Sequence, residues 1–197
     1  MSEYKPYRGS TLNWVGENSW CIYADGFKRG AELLIANVQS TYEINTVVFP
    51  ILFLCRHYLE LTLKEVIGYG RYLNELAGAP PGGHDLQNLW QEAKSYISKE
   101  ISDISTGELA SIERLILEIH SMDPTSEGSR YPVIKKRGLS GRNASFSGDS
   151  PYTHINLDEL GNKMKTISEF LHKVAVYLSV AQDLEAEFRA DYYSNSY

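Results

Sequence analysis

Cysteine is scarce in this chain of 197 residues: Cys21 and Cys55 are far apart, each within an apolar, helix-like pattern. They read as small core residues of a reduced, intracellular protein, which argues against a disulfide framework or a paired-cysteine zinc site. Long apolar runs are lacking too. The best membrane candidate, residues 47–55, stops at Arg56, well short of the roughly 20 residues a span needs. The opening stretch, Met-Ser-Glu-Tyr-Lys-Pro-Tyr-Arg, has no apolar signal-peptide core. Positive charge is in deficit. With 19 Lys and Arg against 25 Asp and Glu, the net charge is −6, so the field of the whole molecule does not favour nucleic acid or anionic lipid. A Walker loop, a dinucleotide glycine fingerprint, His-Glu-x-x-His and a serine-nucleophile elbow are all missing. The five histidines, at 57, 84, 120, 154 and 172, show no metal-ligand spacing. The expectation is a cytoplasmic protein with no metal, no cofactor and no membrane contact.

What is present is helical periodicity. A hydrophobic content of 43% can supply a core for one domain, expected over residues 1–190 with a frayed tail at 191–197. A first helix is expected over residues 19–40, then a turn near residues 42–45. A second follows over residues 46–73, with Pro50 in its first turn, where a missing N–H costs little. Its apolar face is Leu52, Cys55, Leu59, Leu63 and Val66. Residues 77–84 break the pattern. Asp85 then caps a third helix carrying Leu86, Leu89, Trp90, Ala93 and Ile97, and Thr106 caps a fourth carrying Leu109, Ile112, Ile116 and Ile119. Residues 123–156 form a long loop with extended pieces expected at 131–135 and 152–155; a loop this long in a helical domain points to function. The last helix alternates steps of three and four through Leu157, Leu160, Met164, Ile167, Leu171, Val174, Leu178 and Ala181. That repeat predicts a bundle or coiled-coil seam, with surface to spare for a homodimer or a protein partner. The fold class is all-α.

Three polar clusters interrupt this apolar scheme. Arg56, Glu60 and Lys64 share one helical stripe with His57 beside them, which is either an ion-pair ladder or the wall of a site. As a site, Arg56 and His57 would face a phosphate or scissile group and Glu60 would hold them. His84, just before a helix N-cap, lies where free N–H groups favour anions. As the bland alternative, it only flanks the cap. Finally, residues 128–148 carry Arg130, Lys135, Lys136, Arg137 and Arg142 and no acidic residue. That reversal of charge suits either a solvated hairpin or a phosphate-contacting flap with Tyr131 able to stack on a base.

Taken in order, Phe53-Leu-Cys-Arg-His-Tyr-Leu-Glu-Leu-Thr-Leu-Lys, Gly83-His-Asp-Leu-Gln-Asn-Leu-Trp, Asp123-Pro-Thr-Ser with Arg130-Tyr-Pro, and Ile155-Asn-Leu opening the last helix resemble an uncharacterised bacterial branch of the HEPN-like (higher eukaryotes and prokaryotes nucleotide-binding) helical family. The resemblance spans about residues 45–180. It implies a four- to five-helix bundle, often dimeric. Its members are metal-independent ribonucleases or noncatalytic nucleotide-binding modules, in phage-defence, toxin–antitoxin or RNA-processing settings. The family's catalytic signature is an arginine followed by four to six residues and a histidine, and Arg114-Leu-Ile-Leu-Glu-Ile-His120 has that spacing. Leu115 departs from the polar residue usual after the arginine, and a six-residue step rotates about 240° on a helix. The expectation is RNA or nucleotide binding or cleavage, with Arg56, His57, Glu60, Arg114 and His120 as catalytic candidates. The alternative is a noncatalytic dimerisation or partner-binding module.

Overall fold

The computed structural model describes residues 20–76, 82–135, 142–144 and 154–194. Five helices account for nearly all of it: α1 Trp20–Asn37, α2 Thr41–Leu73, α3 Leu86–Glu100, α4 Thr106–Met122 and α5 Leu157–Ser194. Between α4 and α5 lies a two-stranded ladder, β1 Val133–Lys135 antiparallel to β2 Arg142–Ala144, in the register Val133↔Ala144 and Lys135↔Arg142. The first expected extended piece is present over Val133–Lys135, paired with Arg142–Ala144, and residues 152–153 of the second lie outside the described residues.

Helix α2 is the axis of the bundle and packs against α1, α3 and α5. All five residues of its predicted apolar face are buried, as are those predicted for α3 and α4. On α5, Leu160, Met164, Ile167, Leu171, Val174 and Leu178 are buried, while Leu157 and Ala181 are only half-buried. Trp90 is fully buried with its ring centroid 6.4 Å from that of Phe170, which ties α3 to α5. By length and composition α2 would also suffice to cross a membrane, but half of its apolar stretch is buried inside the protein. Gly70 lets α3 approach α2 closely, because a Cβ there would collide with the Tyr96 side chain.

Several boundaries differ from expectation. Helix α2 begins at Thr41 because Ser40 and Glu43 form a capping box. The Ser40 hydroxyl accepts from the Glu43 amide at 3.2 Å, and Glu43 Oε2 accepts from the Ser40 amide at 3.1 Å. Pro50 thus lies well inside the helix, and α2 runs through it. The cap of α4 is Ser105, not Thr106, and Asp85 caps α3 as read from the sequence. Helix α5 continues to Ser194, and residues 195–197 of the expected tail lie outside the described residues. Its start is set by Asn156, whose Oδ1 accepts from the amides of Asp158 at 3.0 Å and Glu159 at 3.1 Å. Cys21 is exposed instead of buried, since α1 turns Ala24 and Ala31 to the core.

Candidate functional site

Midway along α2 the interior becomes polar. Arg56 is only 2% exposed. Its Nη2 donates to the backbone carbonyl of His84 at 2.6 Å, while Nε and Nη1 are buried with no hydrogen-bond partner in the protein. Burial pulls the guanidinium below its usual pKa, and Asp123, Glu60 and Asp85 oppose that. One turn on, Glu60 is 3% exposed, and its Oε1 accepts from Lys64 Nζ at 2.9 Å and faces His84 Nδ1 at 2.8 Å. Burial alone would raise the Glu60 pKa. The contacts from Lys64 and His84 outweigh it and hold the carboxyl below the ordinary range. One residue of the segment before α3 is thereby pinned to α2 at two points, the His84 backbone by Arg56 and the His84 ring by Glu60. The His84 side chain remains 63% exposed.

The end of α4 closes the other side. Asp123 is its C-cap and is buried. Its carboxylate accepts from the amides of Gly128 at 2.9 Å and Ser129 at 3.1 Å, and from the Ser129 hydroxyl at 2.7 Å. These bonds fold residues 123–130 back on the helix end, with Ser126 in the left-handed region at φ 59°. Arg130 leaves this turn with Nε donating to the Ser126 carbonyl at 2.5 Å. Its guanidinium carbon lies 5.9 Å from the Phe53 ring centroid. Phe53 stacks on His57 at 5.5 Å, and Phe27 of α1 meets His57 edge-on at 4.3 Å. Burial depresses the His57 pKa, and the neighbouring charges of Lys64 and Arg130 push the same way.

His120, near the end of α4, is half-buried with Nδ1 sealed from solvent and unpartnered. Burial lowers its pKa, and Asp85, Arg56 and Asp123 are the charges it senses.

The structure therefore gathers Arg56, His57, Glu60, His84, His120 and Arg130 around the α2 midpoint. It does not bring Arg114 into this group. Arg114 lies on the exposed face of α4, as expected of a side chain about 240° around a continuous helix from His120. Tyr131 is exposed beside Arg130. Lys135 and Arg142 face each other in the β1–β2 register, and Lys136 and Arg137 lie outside the described residues. Sequence reasoning missed Phe27 as part of the site, whereas Asp85 and Asp123 belong to the motif stretches it had singled out. No cluster of His, Cys, Asp and Glu suited to a metal occurs among the described residues.

Chemically, a buried carboxylate that holds one ring nitrogen of an exposed histidine fixes the tautomer. The other nitrogen is left to exchange protons with whatever occupies the surface. No family model matches the chain, and no curated protein or solved structure matches it.

Proposed function

We propose that this is a HEPN-like, metal-independent RNA- or nucleotide-processing protein of bacterial defence or toxin–antitoxin type, working in the cytoplasm through the face that carries His84, His57, Arg130 and Tyr131. The observation that supports it best is the Glu60–His84 contact, 2.8 Å between a carboxylate 3% exposed and an imidazole 63% exposed. With Nδ1–H donated to Glu60, His84 Nε2 takes the proton of a ribose 2′-OH as that oxygen attacks the adjacent phosphorus. The leaving 5′-oxygen takes a proton from solvent water and His84 later returns its proton to solvent, giving a 2′,3′-cyclic phosphate and a free 5′-hydroxyl. Arg130 stabilises the charge on the phosphorane oxygens. His57, kept neutral by burial between two phenyl rings, provides apolar and aromatic surface for a base. Arg56 is sealed from solvent, so its part is to position His84 and not to touch substrate.

The test is RNA cleavage by the pure chain in EDTA. His84→Ala should lower the rate by about 10²- to 10⁴-fold with little change in thermal stability. Arg114→Ala should have no effect. Arg130→Ala should weaken binding and flatten its salt dependence. RNA left intact by the wild-type chain, in all sequence contexts tried, overturns the catalytic reading.

A second reading, a noncatalytic module that dimerises or seats a partner, is favoured by α5. Val176, Val180, Leu184 and Phe188 recur every four residues and are all exposed, Phe188 to 68%. An apolar ridge of that length suits an interface. A light-scattering mass that drops on Leu184→Glu with Phe188→Glu would support it, and a wild-type monomer at high concentration would remove it.

A further inference from the structure

Tyr58, Thr62, Glu65 and Tyr69 lie on the side of α2 opposite Arg56, about half a turn around the helix. With α1 and α5 they line a half-open cleft of about 350 Å³, within the lower range of small-molecule sites. The floor is made by Tyr58 and Thr62, both buried, and by Ala24 from α1. Ala175 and Val176 of α5 give it an apolar wall. Two carboxylates, Asp25 of α1 and Glu65 of α2, open into it.

The charges are unequally placed. Glu65 has the Tyr69 hydroxyl as a neutral partner, donating to Oε1 at 3.3 Å, and no basic side chain within ion-pair distance among the described residues. Burial raises its pKa and the nearby Asp25 charge adds to this, while the Tyr69 hydroxyl, the Cys21 backbone amide and His172 oppose it without cancelling it. Of the two basic groups at the cavity, Lys28 has its ammonium 3.9 Å from Glu32, directed along α1, and His172 is an exposed rim residue. Tyr58 and Tyr69 are both pushed up to about 12, chiefly by burial, so they stay neutral hydroxyls. A half-buried carboxylate, a second carboxylate, two phenol rings and an apolar wall make a receptor in which, among the described residues, no basic side chain is ion-paired to either carboxylate. An ammonium group would replace the missing ion pair, and a short apolar body would fill the space beside Ala24, Ala175 and Val176.

The geometry points to a second site between α1, α2 and α5 that binds a small organic amine, its ammonium held by Glu65 and Asp25 and its apolar body against α5. This site does not depend on the His84 face or on the RNA-processing reading of it.

Calorimetric titration of the full chain with phenethylamine, 2-phenylethanol and phenylacetate tests it, since the three share a body and differ in charge. The amine should bind, and the alcohol and the acid should bind at least about tenfold more weakly. Glu65→Gln should weaken the amine by about tenfold, and Asp25→Asn by less. Both variants should unfold at or above the wild-type temperature, because neither removes packing volume. Ala175→Phe, which fills the cavity, should abolish binding. Equal affinity for amine and alcohol, no detectable amine binding, or undiminished binding by both Glu65→Gln and Asp25→Asn overturns the proposal.

Discussion

Glu60 and Glu65 lie five residues apart on α2 and meet opposite electrostatic fates. Glu60 is the less exposed to solvent, yet its pKa is held below the ordinary range. Glu65 is more exposed, yet its pKa is raised. Solvent exposure alone therefore does not decide the outcome. Glu60 has Lys64 and His84 on the same oxygen and Arg56 nearby. Glu65 has a phenol, a backbone amide and another carboxylate. A buried charge tolerates desolvation when its partners are charged and hydrogen-bonded to it, and otherwise it moves toward neutrality. One helix thus has an ionic side that fixes neighbouring segments in place and an opposite side whose charge is incompletely matched.

The comparison breaks most severely at Arg56. Arg56→Ala should cost about 3–5 kcal/mol of stability, the usual consequence of deleting one member of a buried charge set. The variant leaves Asp123 and Glu60 without their buried cation and the His84 carbonyl without its donor. Arg56→Lys should recover only part of this, because a lysine does not reproduce the guanidinium fork. Urea unfolding monitored by circular dichroism measures both. If Arg56→Ala costs under about 1 kcal/mol, the ionic side of α2 is not holding the segment before α3, and the contrast with Glu65 loses its meaning.

Much of this architecture was readable in the sequence, for a specific physical reason. Periodicity reports burial, and the faces Leu52 to Val66, Leu86 to Ile97 and Leu160 to Leu178 were visible because each repeats over several turns. Local caps were readable in principle. Asp85 was found, whereas the capping box at Ser40 and Glu43 was hidden by Pro50, which suggested a helix start nearby. The candidate site was legible only as a set of residue types. The strongest bond of Arg56 is to the backbone carbonyl of His84, 28 positions away, and no side-chain pattern encodes a carbonyl. The Arg114–His120 spacing matched a family signature, but α4 is continuous across it and turns the two side chains apart. The Asp123 stretch was singled out in the sequence, but the hydrogen bonds its carboxylate accepts from Gly128 and Ser129 exist only once that segment folds back.

A smaller effect is expected at Glu60 itself. Glu60→Gln keeps an acceptor but removes the charge facing Lys64, His84 and Arg56, at a cost of about 1–3 kcal/mol near neutral pH. The pH dependence follows from the direction of the shift. A carboxyl whose folded pKa lies below its ordinary 4.5 adds stability above that value and loses it as pH falls through the depressed folded pKa. The gap between wild type and Glu60→Gln should therefore close on acidification below about pH 4.5. His120, depressed below 6.5 by burial and not acted on by Glu60, should start a separate decline at higher pH that is common to both proteins. A gap that stays constant down to the acid limit would mean that Glu60 is not charged in the fold.

The smallest effect should carry the opposite sign, and it isolates the mismatch on the far side of α2. A carboxyl with a raised folded pKa stabilises the fold fully below its ordinary 4.5. It forfeits that stability as pH rises through the elevated folded value. At neutral pH the charged Glu65 is thus a small net burden, and Glu65→Gln should raise the denaturation midpoint, whereas Glu60→Gln lowers it. The gain should disappear when both proteins are compared below pH 4.5, where Glu65 is protonated. Saturating phenethylamine should also shrink it, because a bound ammonium supplies the partner that the wild-type carboxylate lacks and stabilises only the protein that binds it. If Glu65→Gln and Glu60→Gln both destabilise at neutral pH, Glu65 is already matched in the folded chain. The two glutamates would then differ in degree, and the amine site would lose its electrostatic reason to exist.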